Sequence, residues 1–299
     1  MHTHGLGIVV VNYGSHALLA ENLVPLDRDA PGARIVVVDN FSSAEEAAAV
    51  HALCTRWGWT CLLLPRNDGF GAGANEGASR ALALGARSLL FLNPDAVITA
   101  SAVAHLDAAS RESPWALISP TILRPDGSTW FAGGALDLRT GRTLSRPPRA
   151  RDSSESGWIT GACLTTSREL WDRLDGFDTD YFLYWEDVDL SFRATAVGAE
   201  LRVLNDVFAV HAEGGTQESI AGPLSENYYY YNIRNRLLFA HRNLSVARFR
   251  QWRRHTLRES WAIVERGGHR HLASSAAPYR ALSRGMIDGL LNRSGANVA

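Results

Sequence analysis

Two short runs of apolar, largely β-branched residues, Leu6 to Val11 and Ile35 to Val38, constrain this chain more than any other feature in it. A strand with one wet face alternates polar and apolar residues, whereas an unbroken run belongs to a strand covered on both faces by helices. Each run ends in polar residues, Asn12-Tyr13-Gly14-Ser15 and Asp39-Asn40-Phe41-Ser42-Ser43. Helical patterns follow both, over Ala17 to Leu26 and Ala44 to Trp57. Strand, polar tip and helix, repeated, predict a doubly wound α/β fold whose ligands sit beyond the carboxyl ends of the strands. Tyr13, Asp39 and their neighbours are therefore expected at the site.

The pattern continues with a strand at Thr60 to Leu64, a glycine-rich turn from Arg66 to Gly77 and an Ala-rich helix to about Leu84. Glycine there lets backbone approach a ligand closely. A fourth strand, Ser88 to Leu92, ends in Asn93-Pro94-Asp95, and Pro94 marks its edge. Ser101 to Ser110 reads as a helix, Ala116 to Leu144 as strands with turns at Pro125-Asp126-Gly127-Ser128 and Thr140-Gly141. Ser145 to Ser156 offers almost nothing to bury and is expected to be a mobile loop. Beyond it lie Trp158 to Leu164, a helix from Arg168 to Leu174, and a last strand, Leu201 to Val210, running into His211 and Gly214-Gly215-Thr216. From Ser225 onward the chain reads helical and aromatic.

Composition removes several classes of function. The 30 basic residues, all arginine, nearly balance 31 acids, so no global field calls for nucleic acid. Without lysine there is no Schiff-base or P-loop chemistry. Cys54, Cys61 and Cys163 have no metal-ligand spacing and leave an odd thiol, which fits a reducing compartment. Neither a leader nor an apolar stretch of about 20 residues is visible, so the expected location is cytoplasmic, or peripheral at the inner face of the cell membrane.

Carboxylates concentrate at Glu186, Asp187 and Asp189, after Tyr181, Phe182, Tyr184 and Trp185 and before a helix. Acid at a helix start suits the dipole. The aromatic residues beside it suit a place that holds a polar ring and takes a proton from it. At the strand tips Asp39, Asn67, Asp95, Asp187 and His211 could hold a divalent cation between protein and phosphate oxygens. Singly, the same residues are equally caps, turn residues or a packed histidine.

Their order along the chain resembles the family 2 glycosyltransferases of the GT-A fold, in particular the bacterial rhamnosyltransferase-like branch. The resemblance spans about Gly7 to Thr216, with a weaker echo in Tyr228 to Leu238. It implies a Rossmann-like mixed α/β sheet flanked by helices: a catalytic domain over 1–224, with a donor half to about 110 and an acceptor half from 111, and a C-terminal helical extension over 225–299. By resemblance Asp39 binds the pyrimidine of a nucleotide diphosphate sugar, with Tyr13 and Asn40 beside it. Asn67, Gly69 and Asn75 lie against the nucleotide and its sugar. Asn93-Pro94-Asp95 stands where the family carries its Asp-x-Asp signature, so Asp95 is the expected ligand for Mg or Mn and His211 completes the coordination. Asp187 becomes the catalytic base of an inverting transfer, with Gly161, Trp185 and Glu186 towards the acceptor. The implied donor is dTDP-rhamnose and the acceptor a hydroxyl of a saccharide, lipid-linked glycan or secondary metabolite.

Two other classes compete. A non-catalytic nucleotide-sugar-binding relative would not need Asp95, Asp187 and His211 together. A dinucleotide-binding oxidoreductase would put its glycines after the first strand, whereas Gly69, Gly71 and Gly73 follow the third. In the tail, Val246 to Val264 read as a helix puts Val246, Phe249, Leu257, Trp261 and Val264 within roughly 120° of arc. Arg248, Arg254 and Arg258 fall outside that arc, while Arg250 and Arg253 intrude on it. Such a stripe serves a helix packed on the catalytic domain or at a homodimer contact, or one touching an anionic membrane at its periphery.

Overall fold

The computed structural model describes residues 5–30, 32–150, 152–211 and 224–297. Strands β1 (Leu6–Asn12), β2 (Arg34–Asp39), β3 (Thr60–Leu63) and β4 (Ser88–Leu92) form the parallel half of the main sheet, in the order β3-β2-β1-β4. Short helical turns, α1 (His16–Leu18) and α2 (Val24–Asp29) with a π-helical turn between them, replace the single helix expected after β1. Pro25 lacks the N–H that a continuous helix would use, and it sits at the start of α2. Helices α3 (Ala44–Trp57), α4 (Phe70–Ala83) and α5 (Ala100–Glu112) cover the sheet. Two apolar clusters result, one on each face, which is why the strands carry no alternation.

The second half of the sheet departs from simple winding. After β5 (Ala96–Ile98), β6 (Ala116–Leu123) and β7 (Thr129–Phe131), strands β8 (Gly134–Asp137), β9 (Arg142–Leu144) and β10 (Glu155–Trp158) make a small antiparallel sheet of their own. Strand β11 (Cys163–Ser167) then inserts antiparallel between β4 and β6. Helices α6 (Arg168–Leu174) and α7 (Glu186–Ala196) lead to β12 (Glu200–His211), parallel to β6 and antiparallel to β5. The sheet is therefore mixed, as the resemblance implied, and not the all-parallel sheet of a simple doubly wound fold.

The segment expected to be a mobile loop is tied down. Glu155 opens β10 with a buried carboxylate that accepts from Arg146 Nη2 at 2.6 Å and from the Arg149 amide at 2.8 Å. Arg146 and Arg149 pair with Glu155, so little apolar burial is needed to fix it.

Helices α8 (Glu226–Asn243), α9 (Val246–Val264), α10 (Gly268–Ser274) and α11 (Ala277–Leu290) complete the described chain. Among described residues no helix is long and apolar enough to cross a membrane. The bounds of α9 match the sequence reading, but its packed face does not. Trp252, Thr256, Glu259, Ser260, Ile263 and Val264 are buried, whereas Val246, Leu257 and Trp261 are 65%, 64% and 39% exposed. Polar groups hold the contact: Trp252 Nε1 donates to the Leu138 carbonyl at 2.8 Å and Arg142 Nε to Glu259 at 2.9 Å. An apolar arc cannot register a face whose partners are hydrogen bonds.

Candidate active site

The parallel register sets Asn12 beside Asp39 at the tips of β1 and β2. Asn12 Nδ2 donates to Asp39 Oδ1 and to Glu46 Oε1, both at 2.9 Å. Asp39 is fully buried, its Oδ2 has no hydrogen-bond partner, and burial pushes its carboxyl up. A buried acceptor without a donor costs about 1–3 kcal/mol, which a ligand N–H would recover. Asp39 and Asn75 are nevertheless absent from the wall of the cavity that gathers the other expected site residues. Asn40 is on that wall; its Nδ2 donates to Asn67 Oδ1 at 2.9 Å and to the Gly69 carbonyl at 3.0 Å, and its Oδ1 is unpartnered. Asn75 has another task. Its amide donates to the Phe177 carbonyl at 2.8 Å and accepts from the Phe177 amide at 2.9 Å, tying α4 to the turn at Gly176. Both hydrogen-bonding ends of that side chain are thus spent on backbone.

The acidic stretch is held in a conformation that costs energy. Phe182, Tyr184 and Trp185 have φ of 65°, 63° and 75°, a region that non-glycine residues rarely adopt, each costing about 1–3 kcal/mol. Contacts on two sides compensate. From α4, the Phe70 amide donates to the Phe182 carbonyl at 2.8 Å, and a side chain at Gly69 would put its Cβ 2.3 Å from that oxygen. From α8, fully buried Asn235 directs Nδ2 at the carbonyls of Tyr181, Leu183 and Tyr184 at 2.9, 2.8 and 2.7 Å. Arg234, also buried, adds Nη2 to the Tyr181 carbonyl at 2.6 Å. The weak echo in the sequence at Tyr228 to Leu238 contains this clamp, yet spacing gave Arg234 and Asn235 no role.

The forced turn makes Trp185 the cap of α7 and puts Glu186 and Asp187 on its first turn, both lining the cavity. Asp187 is half-buried; Oδ2 accepts from the Gly161 amide at 3.0 Å and Oδ1 from its neighbour Val188 at 2.8 Å. Desolvation lifts its carboxyl to about 6, and these amides limit the rise. Glu186 is more deeply buried, Oε2 lacks a partner, and desolvation with Asp187 beside it pushes the carboxyl up to about 8. Near neutral pH the pair can hold one proton, with the charge favoured on Asp187. Asp189 serves structure. It accepts from Tyr181 Oη at 3.0 Å, Asn243 Nδ2 at 2.7 Å and Arg193 Nε at 2.6 Å, and Arg193 also donates to the Gly176 carbonyl at 2.8 Å. Tyr181 is thereby withdrawn into the core, so the aromatic wall consists of Phe182, Tyr184 and Trp185 without it.

The third corner arises from the pairing of β5 with β12, which aligns Ala96 with His211. Asp95 Oδ1 and His211 Nε2 meet at 3.1 Å, Trp130 stacks on the imidazole at 4.7 Å, and Asn93 Nδ2 lies 3.4 Å from Nε2. One carboxylate and one imidazole fit Mg or Mn of the kind that fills its remaining positions with phosphate oxygens and water. No group of three His, Cys, Asp or Glu able to hold a metal occurs among the described residues, so this is not an all-protein cage. The Gly214-Gly215-Thr216 part of the histidine motif lies outside the described residues.

All three corners open on a single cavity of about 380 Å³, within the usual range for small-ligand sites. Tyr13, Asn67, Gly69, Asn93, Gly161 and Trp185 line it along with Asn40, Asp95, Glu186, Asp187 and His211. Trp130, Trp158 and Asn232 line it too and escaped sequence reasoning. A tryptophan in a strand carries no local mark of function, and Asn232 lies on a helix remote in sequence.

No family model matches the chain. It is similar to the low-salt glycan biosynthesis hexosyltransferase Agl10 of Haloferax volcanii, with 26% identity over 97% of this chain and 92% of the relative. It is also similar to an N-acetylglucosaminyl-diphospho-decaprenol L-rhamnosyltransferase of Mycobacterium tuberculosis, 32% identical over 37% of this chain and 42% of that one. Among solved structures it resembles GalNAc-T7 with UDP, GalNAc and Mn2+, at TM-score 0.60 and 17% identity, covering 90% of this chain and 58% of that one. The Pyrobaculum calidifontis mannosyltransferase PcManGT, in complex with GDP-Man and Mn2+, follows at TM-score 0.57 and 18% identity, covering 96% and 87%. The fold is that of the GT-A glycosyltransferases, and the relatives the chain is similar to are named as glycosyltransferases.

Proposed function

We propose that the chain is an inverting, metal-assisted glycosyltransferase that moves a sugar from a nucleoside diphosphate donor to an acceptor hydroxyl. The observation that carries this is the Asp187 carboxylate, fixed by the Gly161 amide in the same cavity as the Asp95–His211 pair. Asp187 removes the proton as the acceptor oxygen bonds to the anomeric carbon, while the bond from that carbon to the diphosphate oxygen breaks. A carboxyl lifted to about 6 is largely ionised at neutral pH yet more basic than an ordinary aspartate. Asp95 and His211 would hold a divalent cation, which supplies Lewis-acid stabilisation of the departing diphosphate. Asn40 and Asn67, on the cavity wall, receive the nucleotide side; Trp185 and Glu186 face the acceptor. One displacement inverts the anomeric configuration.

Rhamnose is the favoured sugar and dTDP-rhamnose the favoured donor, on the sequence resemblance and the rhamnosyltransferase among the relatives. That relative's name also favours a lipid-linked acceptor over a free saccharide or secondary metabolite. A panel of nucleotide sugars offered with Mg or Mn, followed by NMR of the product's anomeric proton, tests the reading. Transfer with inversion from one donor is expected. Retention of configuration, or no turnover of any donor with lipid-linked, oligosaccharide or small hydroxyl acceptors, would refute it.

A further inference from the structure

The solvent face of α9 carries a row of arginines, with exposed Glu265 at its end accepting from Trp261 Nε1 at 2.7 Å. Overall the cations and anions nearly cancel, and Arg146, Arg193, Arg242, Arg280 and Arg293 are each paired with a carboxylate. On α9, Arg250, Arg253, Arg254 and Arg258 are exposed on one side of the helix, and the first three make no ion pair among the described residues. Arg250 and Arg254, one turn apart, also line a shallow groove with Gln251 and His255. Between the arginines stand Val246, Leu257 and Trp261, the large apolar residues that packing leaves outside. Trp261 reaches Tyr279 on α11, itself exposed, with ring centroids 6.3 Å apart.

We propose that this face is a docking surface for an anionic lipid bilayer, with the arginines at the phosphate level and Leu257, Trp261 and Val246 at the acyl boundary. Interleaved arginine, tryptophan and aliphatic side chains on one helix face match the headgroup layer in both charge and polarity. A second copy of the chain fits poorly, because a two-fold contact would set the arginine row against itself. A nucleic-acid backbone would satisfy the arginines and leave Leu257 and Val246 in water. The inference stands on the exposed face alone and does not depend on the proposed reaction.

Flotation with phosphatidylcholine vesicles, with and without phosphatidylglycerol, tests it on the full chain. Binding is expected only to the anionic vesicles and should weaken with salt. Triple reversal Arg250→Glu, Arg253→Glu and Arg254→Glu should lower the partition by about fivefold per arginine at the least. Leu257→Ser should lower it further at fixed charge. Circular dichroism and the thermal melting temperature should match the wild type in all variants, showing that they are folded. Equal flotation of the triple variant, or no flotation of the wild type at low salt, would overturn the assignment. Self-association that the reversal abolishes would give the face to a second copy and overturn it as well.

Discussion

Replacing Asn235 with alanine should uncouple the transfer step from the integrity of the fold. The amide reaches three carbonyls of the strained loop, at Tyr181, Leu183 and Tyr184. Its two N–H bonds are shared among the three; at about 1 kcal/mol per net hydrogen bond, with more for a carbonyl left buried and dry, holding the loop in place without Asn235 costs about 2–4 kcal/mol. The loop has an alternative. Letting Phe182, Tyr184 and Trp185 return to ordinary φ recovers about 1–3 kcal/mol each. Relaxation therefore keeps the stability loss below that cost, but it moves the start of α7 and with it Asp187. A displacement near 1 Å at a reacting group costs about 100-fold in rate. Urea denaturation, steady-state transfer and titration with free nucleoside diphosphate should show a modest loss of stability, a large fall in kcat and near-normal nucleotide affinity. Unchanged transfer would refute the clamp, and nucleotide affinity falling in step with rate would reduce it to a general scaffold effect.

The Asp95→Ala and His211→Ala variants should each weaken diphosphate binding in Mg or Mn, as read by calorimetry, and full transfer in excess EDTA would contradict the metal assignment. Transfer should fall on the acid side as Asp187 takes up a proton near pH 6, so a kcat/KM profile flat down to pH 4.5 would exclude it as the base. Glu186 keeps its proton more tightly folded than unfolded, so it costs stability as pH rises from its ordinary value towards about 8. Thermal melts of Glu186→Gln should accordingly show a gain over wild type at pH 8 and little change at pH 4; a constant difference would contradict the buried charge. Gly69→Ala should impair transfer strongly, because its Cβ would strike the Phe182 carbonyl; wild-type rates would show that the loop is not seated there.

The parallel half of the fold was legible because strands covered on both faces spell themselves as continuous apolar runs, and Ala44–Trp57 and Ser88–Leu92 fall where the pattern puts them. The insertion of β11 between β4 and β6 was not, since antiparallel pairing across many residues leaves no local periodicity. At the site, strand-tip residues could be named from position, but roles depend on partners. Asn75 among glycines looks the same whether it meets a ligand or, as here, the Phe177 backbone. Asp189 and Arg193 have the i, i+4 spacing of an ordinary surface pair, worth a few tenths of a kcal/mol. With Asp189 buried beside Tyr181 and Asn243, and half-buried Arg193 also bracing the Gly176 turn, they are part of the frame of α7. Arg234 and Asn235 were invisible for the same reason: their partners are backbone carbonyls, which every residue has.

The central claim is that Asp187 removes the acceptor proton, and Asp187→Asn tests it most directly because shape is kept and basicity lost. Donor affinity should stay near wild type, while turnover at saturating donor and acceptor falls by about 100-fold to 10,000-fold. Near-normal turnover by the folded Asp187→Asn variant under those conditions would contradict the account.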